Sequence, residues 1–179
     1  QVIRARGWVE SIVAADQPVY GINTGFGIFA DRRIPCNDAS RLSRNLILSH
    51  AVGTGPDLPE EVVRAAMLVR ANTLAKGHSG VRPAIIDTLL LMLNRCLTPI
   101  VPSQGSMGSS GDLGPLSHLA MVFTTDPSHR AEDSGWARYD GKLMDGKSAM
   151  AAADIEPVEL GPKEGLALNN GATFSVSIG

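Results

Sequence analysis

The segment Gly105-Ser106-Met107-Gly108-Ser109-Ser110-Gly111-Asp112-Leu113-Gly114-Pro115-Leu116 constrains this chain more than any other. Four glycines and three serines fall between Gly105 and Gly114. A helix or strand interior tolerates no such density, because glycine loses more conformational freedom on ordering than any other residue. Glycines so placed belong where a backbone turns sharply or another approaches it closely. Pro115 then suits the first turn of a helix, and Leu116, Leu119, Ala120, Val122 and Phe123 follow on it. The fold must therefore seat a shaped loop on the end of an apolar helix.

Other stretches supply the framework. Val2 to Ala14 carries a helical apolar pattern that runs out at Asp16-Gln17-Pro18. Val19 to Gly27 holds three glycines in its last seven positions and reads as a second shaped loop. A helix is expected from Asn37 or Asp38 as cap through Leu46 and Leu48 towards Ala51. Another is expected after Asp57 as cap, with Pro59 early and Glu60 and Glu61 at its positive end. Val63, Met67, Arg70 and Leu74 mark one of its faces, and Gly77 closes it. Pro83 opens a helix carrying Ile86, Leu89, Leu90 and Leu93. Residues 124–135 read as a polar surface loop that includes His129. Asp140-Gly141 predicts a hairpin between Ala137-Arg138-Tyr139 and Lys142-Leu143. Ser148 to Ala153 predicts a short helix. The fold class is mainly α with one or two small strand pairs.

Charge and composition remove several kinds of partner. The net charge is −2 with 19% charged residues, and no basic stripe invites nucleic acid. The apolar run from Ile85 to Leu93 is broken by Asp87 and too short for a bilayer. No signal peptide is evident, and Cys36 and Cys96 are too few for a disulfide scaffold, so reduced thiols and a cytoplasmic setting are expected. His78, His118 and His129 lack metal-ligand spacing, and no metal is expected. The chain opens at Gln1 inside a helical pattern and stops at the apolar run Ser175 to Gly179. Residues 1–179 are therefore expected to be one part of a larger protein.

The glycine loop admits three chemical readings. Backbone N–H groups at a helix start can cradle an anion, but a Walker loop ends in Gly-Lys-Ser/Thr and this segment holds no lysine. A hydrolase elbow needs Gly-x-Ser-x-Gly, and Gly108-Ser109-Ser110-Gly111 is one residue too short. The third reading suits every position. In a tight bend the nitrogen of Gly111, which has no Cβ, can approach the carbonyl of Ser109 at low steric cost. Loss of water closes a five-membered ring, and loss of a second water from Ser110 leaves an exocyclic methylidene. That group is an electrophile of a kind the side chains lack.

Gly105 to Leu116 resembles the signature of the methylidene-imidazolone (MIO) aromatic amino acid lyases and aminomutases, with Ser109 where those enzymes usually carry Ala. The resemblance continues through Tyr20-Gly21-Ile22-Asn23-Thr24-Gly25-Phe26-Gly27, Asn45 to His50, and Lys163 to Gly171. It implies Ser109, Ser110 and Gly111 as the source of the 4-methylidene-imidazol-5-one, with Asp112 supporting its formation. It further implies Tyr20 as the base for the β-proton, Asn170 as a catalytic amide, and Ser49, His50, Asn23 and Gly27 as substrate-binding residues. Ser49-His50 resembles the pair of the histidine enzymes, whereas His-Leu and Phe-Leu mark the tyrosine and phenylalanine ones. Asn169 stands where the family mostly has an apolar residue, and Ala172 where Thr is usual.

The implied activity is elimination of ammonia from L-histidine to give urocanate, in a cytoplasmic homotetramer whose central bundle lies outside this chain. A tyrosine or phenylalanine ammonia-lyase, an aminomutase, and a non-catalytic assembly module remain as alternatives. Without its bundle the chain is expected to be inactive, with an open Ser109-Ser110-Gly111. Apolar surface is then expected to be exposed around Leu74, Leu93 and Phe123.

Overall fold

The computed structural model describes residues 1–106, 111–125 and 131–179. Its helices are α1 (Val2–Ala14), α2 (Ala39–His50), α3 (Glu60–Ala75), α4 (Pro83–Asn94), α5 (Leu113–Phe123), α6 (Gly146–Ala152), α7 (Glu164–Asn169) and α8 (Thr173–Ile178). Helix α5 is apolar apart from Ser117 and His118, and Leu116, Leu119, Ala120, Val122 and Phe123 are each no more than 1% exposed. A helix of that kind belongs at the centre. Helices α2, α6 and α7 pack on α5, while α3 packs between α4 and α8. The mainly α class expected from sequence is what the chain adopts.

Helix starts follow local chemistry. Pro83 occupies the first turn of α4, where its missing N–H costs nothing. Asp145 caps α6 by accepting the Ser148 N–H at 2.9 Å. Asp57 does not cap α3, as its sequence suggested. It lies in a strand opposite Pro102, and Pro59 takes the cap position. Helix α5 begins at Leu113, two residues ahead of Pro115.

Seven short strands form three small sheets among the described residues, more than the one or two pairs expected. Strand β1 (Thr54–Asp57) pairs antiparallel with β3 (Pro102–Gln104). The expected hairpin is β5 (Trp136–Tyr139) with β6 (Lys142–Asp145), and β2 (Thr98–Pro99) joins it as a third strand. Strand β4 (Thr124–Thr125) runs parallel to β7 (Val158–Glu159). The strands β2, β4 and β7 are two residues long, below the length at which alternation can be read. The expected loop at 124–135 thus begins as strand β4, and His129 lies outside the described residues. The closing run 175–179 falls mostly in α8.

Candidate active site

Helix α7 is the junction of the sequence motifs. Gly165 lies on the backbone of Ser43 in α2, so closely that a Cβ there would collide with it. Gly21, beside Tyr20, lies against Leu166, with a Cβ position 2.6 Å from Leu166 Cδ2. At the other end of α7, Gly171 meets Gly111. A Cβ on Gly111 would sit 2.6 Å from the Gly171 nitrogen, and Gly111 has φ +108°. Only glycine suits both constraints.

The bend at Gly111 is fixed by its neighbour. The Asp112 N–H donates to the Gly171 carbonyl at 2.9 Å. Its carboxylate is 1% exposed and accepts from Ser106 Oγ at 2.8 Å, Ser175 Oγ at 2.9 Å and the Ser175 N–H at 3.0 Å. Burial alone would raise this carboxyl. The hydrogen bonds from Ser175 and Ser106 outweigh it and hold the group below the usual carboxylate range. A glycine this close to a second backbone, beside a buried carboxylate, has little room to move. Ser109 and Ser110 themselves lie outside the described residues.

The turn after α7 is held from the opposite side. Arg70, on the buried face of α3, is 3% exposed. Its guanidinium donates to the carbonyls of Asn170 at 2.9 Å and Ala167 at 3.3 Å and to Thr173 Oγ1 at 2.6 Å. Burial lowers its pKa to about 10, the charge of Asp112 drawing it back upward, so it stays a cation at neutral pH. Asn170 is exposed at the end of α7, while Asn169 is fully buried, with Nδ2 3.4 Å from Ser117 Oγ.

The N-terminal end of α7 is braced as firmly. Glu164, 0% exposed, accepts from Arg82 Nε at 3.0 Å, the Arg82 N–H at 2.8 Å and the Gly161 N–H at 2.7 Å. Burial would raise the Glu164 carboxyl, but the Arg82 side chain and these N–H donors lower it below its ordinary value. Lys163, in the left-handed region at φ +70°, reaches the Ser79 carbonyl at 2.6 Å.

Ser49 and His50 end α2. His50 Nδ1 lies 2.8 Å from the Leu46 carbonyl, which can only accept. That contact suits a proton on Nδ1, the arrangement that in a neutral imidazole leaves Nε2 as the acceptor nitrogen. Ser49 Oγ also donates to the Leu46 carbonyl, at 3.1 Å. The chain just beyond reaches the glycine loop: the Gly53 N–H donates to His118 Nε2 of α5 at 2.9 Å, and a Cβ on Gly105 would lie 3.1 Å from Gly53 Cα.

Tyr20 is 57% exposed and meets Phe26 edge-on, with centroids 6.2 Å apart. Asn23, expected among the substrate-binding residues, lies inside the tyrosine loop. It is 3% exposed and both ends of its amide are engaged, Oδ1 by the Val19 N–H and Nδ2 on the Gln17 carbonyl, each at 2.8 Å. It shapes the tyrosine loop from within. Gly27 lies exposed on that loop with φ +55°. Arg70, Ser106, Ser175 and Glu164 were not anticipated as site residues. For Arg70 a signal existed, a cation on the otherwise apolar face of Val63, Met67 and Leu74. Among the described residues no His, Cys, Asp and Glu cluster could hold a metal.

Comparison with known proteins adds to this geometry. The family described as aromatic amino acid lyase matches residues 1–179. A histidine ammonia-lyase of Gloeobacter violaceus is 48% identical over 178 residues, 99% of this chain and 33% of that protein. The structure of histidine ammonia-lyase from Trypanosoma cruzi gives a TM-score of 0.85 at 36% identity, covering 99% of this chain and 33% of that one. Pantoea agglomerans phenylalanine aminomutase gives 0.86 at 37% identity, covering 98% and 32%. The chain spans about a third of the length of the curated relatives it matches.

Proposed function

This chain belongs to the aromatic amino acid lyase family, and from that premise we propose that it is the N-terminal, MIO-forming part of a histidine ammonia-lyase. The reaction is elimination of ammonia from L-histidine to give urocanate. One observation carries the reading: Gly111, at φ +108°, pressed on the Gly171 backbone beside the buried Asp112 carboxylate. The 4-methylidene-imidazol-5-one derived from Ser109-Ser110-Gly111 supplies an electron sink for the reaction. The chain's own residues do the rest.

Tyr20 takes the β-proton at its phenolic oxygen. Ser49 and His50 hold the substrate imidazole, with Nε2 of His50 as the acceptor for a ring N–H. Asn170 donates from its amide at the reacting end of the substrate. Gly27 lets substrate approach the backbone, and Asn23 keeps the tyrosine loop in shape. Asp112 polarises the amides around Gly111.

The full-length enzyme is a cytoplasmic homotetramer acting on a small amino acid, with neither nucleic acid nor membrane as partner. The net charge of −2 offers nothing to attract a nucleic-acid backbone, and no described helix is long and apolar enough to cross a membrane. The test is turnover by the full-length protein of L-histidine, L-tyrosine and L-phenylalanine. Urocanate from histidine at the highest kcat/KM is the expected result. Preference for tyrosine or phenylalanine, or a β-amino acid product, moves the assignment to another lyase or an aminomutase. Ser110→Ala removes the hydroxyl that leaves as water, and undiminished turnover in that variant would sink the mechanism.

A further inference from the structure

We infer that Arg70 is a positioning residue for ring closure, clamping the turn after α7 so that Gly171 presses on Gly111. This rests on the cyclisation reading above. Gly171 lies between the two groups. On one side a Cβ at Gly171 would be 2.9 Å from Arg70 Nη2, and on the other its nitrogen and carbonyl occupy the space a Cβ on Gly111 would need. Its carbonyl also takes the Asp112 N–H. The guanidinium holds the chain on both flanks of Gly171, at the Asn170 carbonyl and at Thr173 Oγ1. Gly171 therefore has little freedom to retreat from Gly111.

A buried cation is a costly means of ending a helix. Carbonyls at a C-terminus are ordinarily met by a left-handed glycine and its Schellman bonds, or by water. Arg70 gives up most of its hydration at this position, and its Nε–H finds no partner among the described residues. What the guanidinium provides in exchange is rigid geometry, two Nη atoms reaching three acceptors across 167–173.

Ring closure needs that rigidity. The Gly111 nitrogen bonds to the Ser109 carbonyl carbon. The former carbonyl oxygen leaves as water with the N–H hydrogens of Gly111 and Ser110, creating a carbon–nitrogen double bond. The Ser110 hydroxyl then leaves with its Cα hydrogen as the second water. No oxidant enters. The nitrogen reaches the carbonyl carbon only in a compressed bend, and strain of this kind persists only where the surroundings enforce it. Arg70 touches none of the atoms that change bonds. It acts through Gly171.

The experiment compares intact mass over time after synthesis for the full-length wild-type, Arg70→Met and Thr173→Val proteins, with thermal melts of each. The wild type is expected to lack two waters. Both variants are expected to stay folded and to dehydrate at least about tenfold more slowly, the factor one charged hydrogen bond commands. A lowered melting temperature with dehydration as fast and complete as wild type makes Arg70 a helix cap only and overturns the inference. If Arg70→Met does not fold, Thr173→Val decides, since it deletes a single acceptor with little change of shape. A wild type that retains both waters overturns the cyclisation reading, and the role of Arg70 with it.

Discussion

Asn169 and Asn170 share a side chain and differ in every circumstance. Asn170 is exposed where α7 ends, whereas Asn169 is fully buried, with Oδ1 unpartnered among the described residues. An unmet buried acceptor costs about 1–3 kcal/mol. Replacing both it and its weak partner, Asn169→Leu with Ser117→Ala, should stabilise the protein by about 1 kcal/mol. A urea midpoint shifted upward at constant slope would show this, and a downward shift would mean the pair specifies the packing of α5 on α7. Tyr20→Phe makes the opposite kind of prediction. With 57% of Tyr20 exposed, the loss of its hydroxyl should leave the melting temperature nearly unchanged. kcat should fall by about 10²–10⁴-fold, and near-normal turnover would demote Tyr20 to a surface residue. Gly111 and Asp112 were legible in sequence because their signature is contiguous. Arg70 and Ser175 were not, because what they hold is distant along the chain.

Helix α7 shows why some elements escape a sequence reading. At six residues it is far shorter than an isolated helix needs for stability in water. Its geometry is imposed from outside, by Glu164 with Arg82 at one end and Arg70 at the other. Longer helices such as α3 and α4 declare themselves by period, and the β5–β6 hairpin by its Asp140-Gly141 turn. Glu164→Ala should therefore unfix the whole of α7. It strands the N–H groups of Gly161 and Arg82, while the Arg82 side chain, 38% exposed, can turn to water. The cost is expected near about 3 kcal/mol, the lower end for breaking a buried pair, read by chemical denaturation. A cost below about 1 kcal/mol would show that packing against α2 and α5 holds α7 without the carboxylate.

At the scale of the whole chain, the apolar surface is not where the helical pattern suggested. Leu74 and Phe123 are completely buried in the core, and Leu93 packs partly buried against it. Ile28, Val52, Leu68, Val176 and Ile178 are instead 57–88% exposed. Exposed apolar side chains on this scale favour association. The 179-residue chain expressed alone should therefore sediment above its monomer mass of 18.8 kDa and show no lyase activity. Its intact mass should retain both waters at residues 109–111. A sharp monomer boundary would refute the first expectation, and a dehydrated mass would show that residues 1–179 compress the bend unaided.

The two sides of that bend are also made at different times. Gly111 and Asp112 leave the ribosome roughly sixty residues ahead of Gly171 and Ser175, which complete their contacts. At about 5–20 residues per second, the Asp112 carboxylate waits several seconds for its last donor. Emergence of Ser175 from the exit tunnel is thus the earliest moment at which Gly111 and Asp112 can hold all their contacts, so the order of synthesis sets the order in which this corner of the fold is assembled.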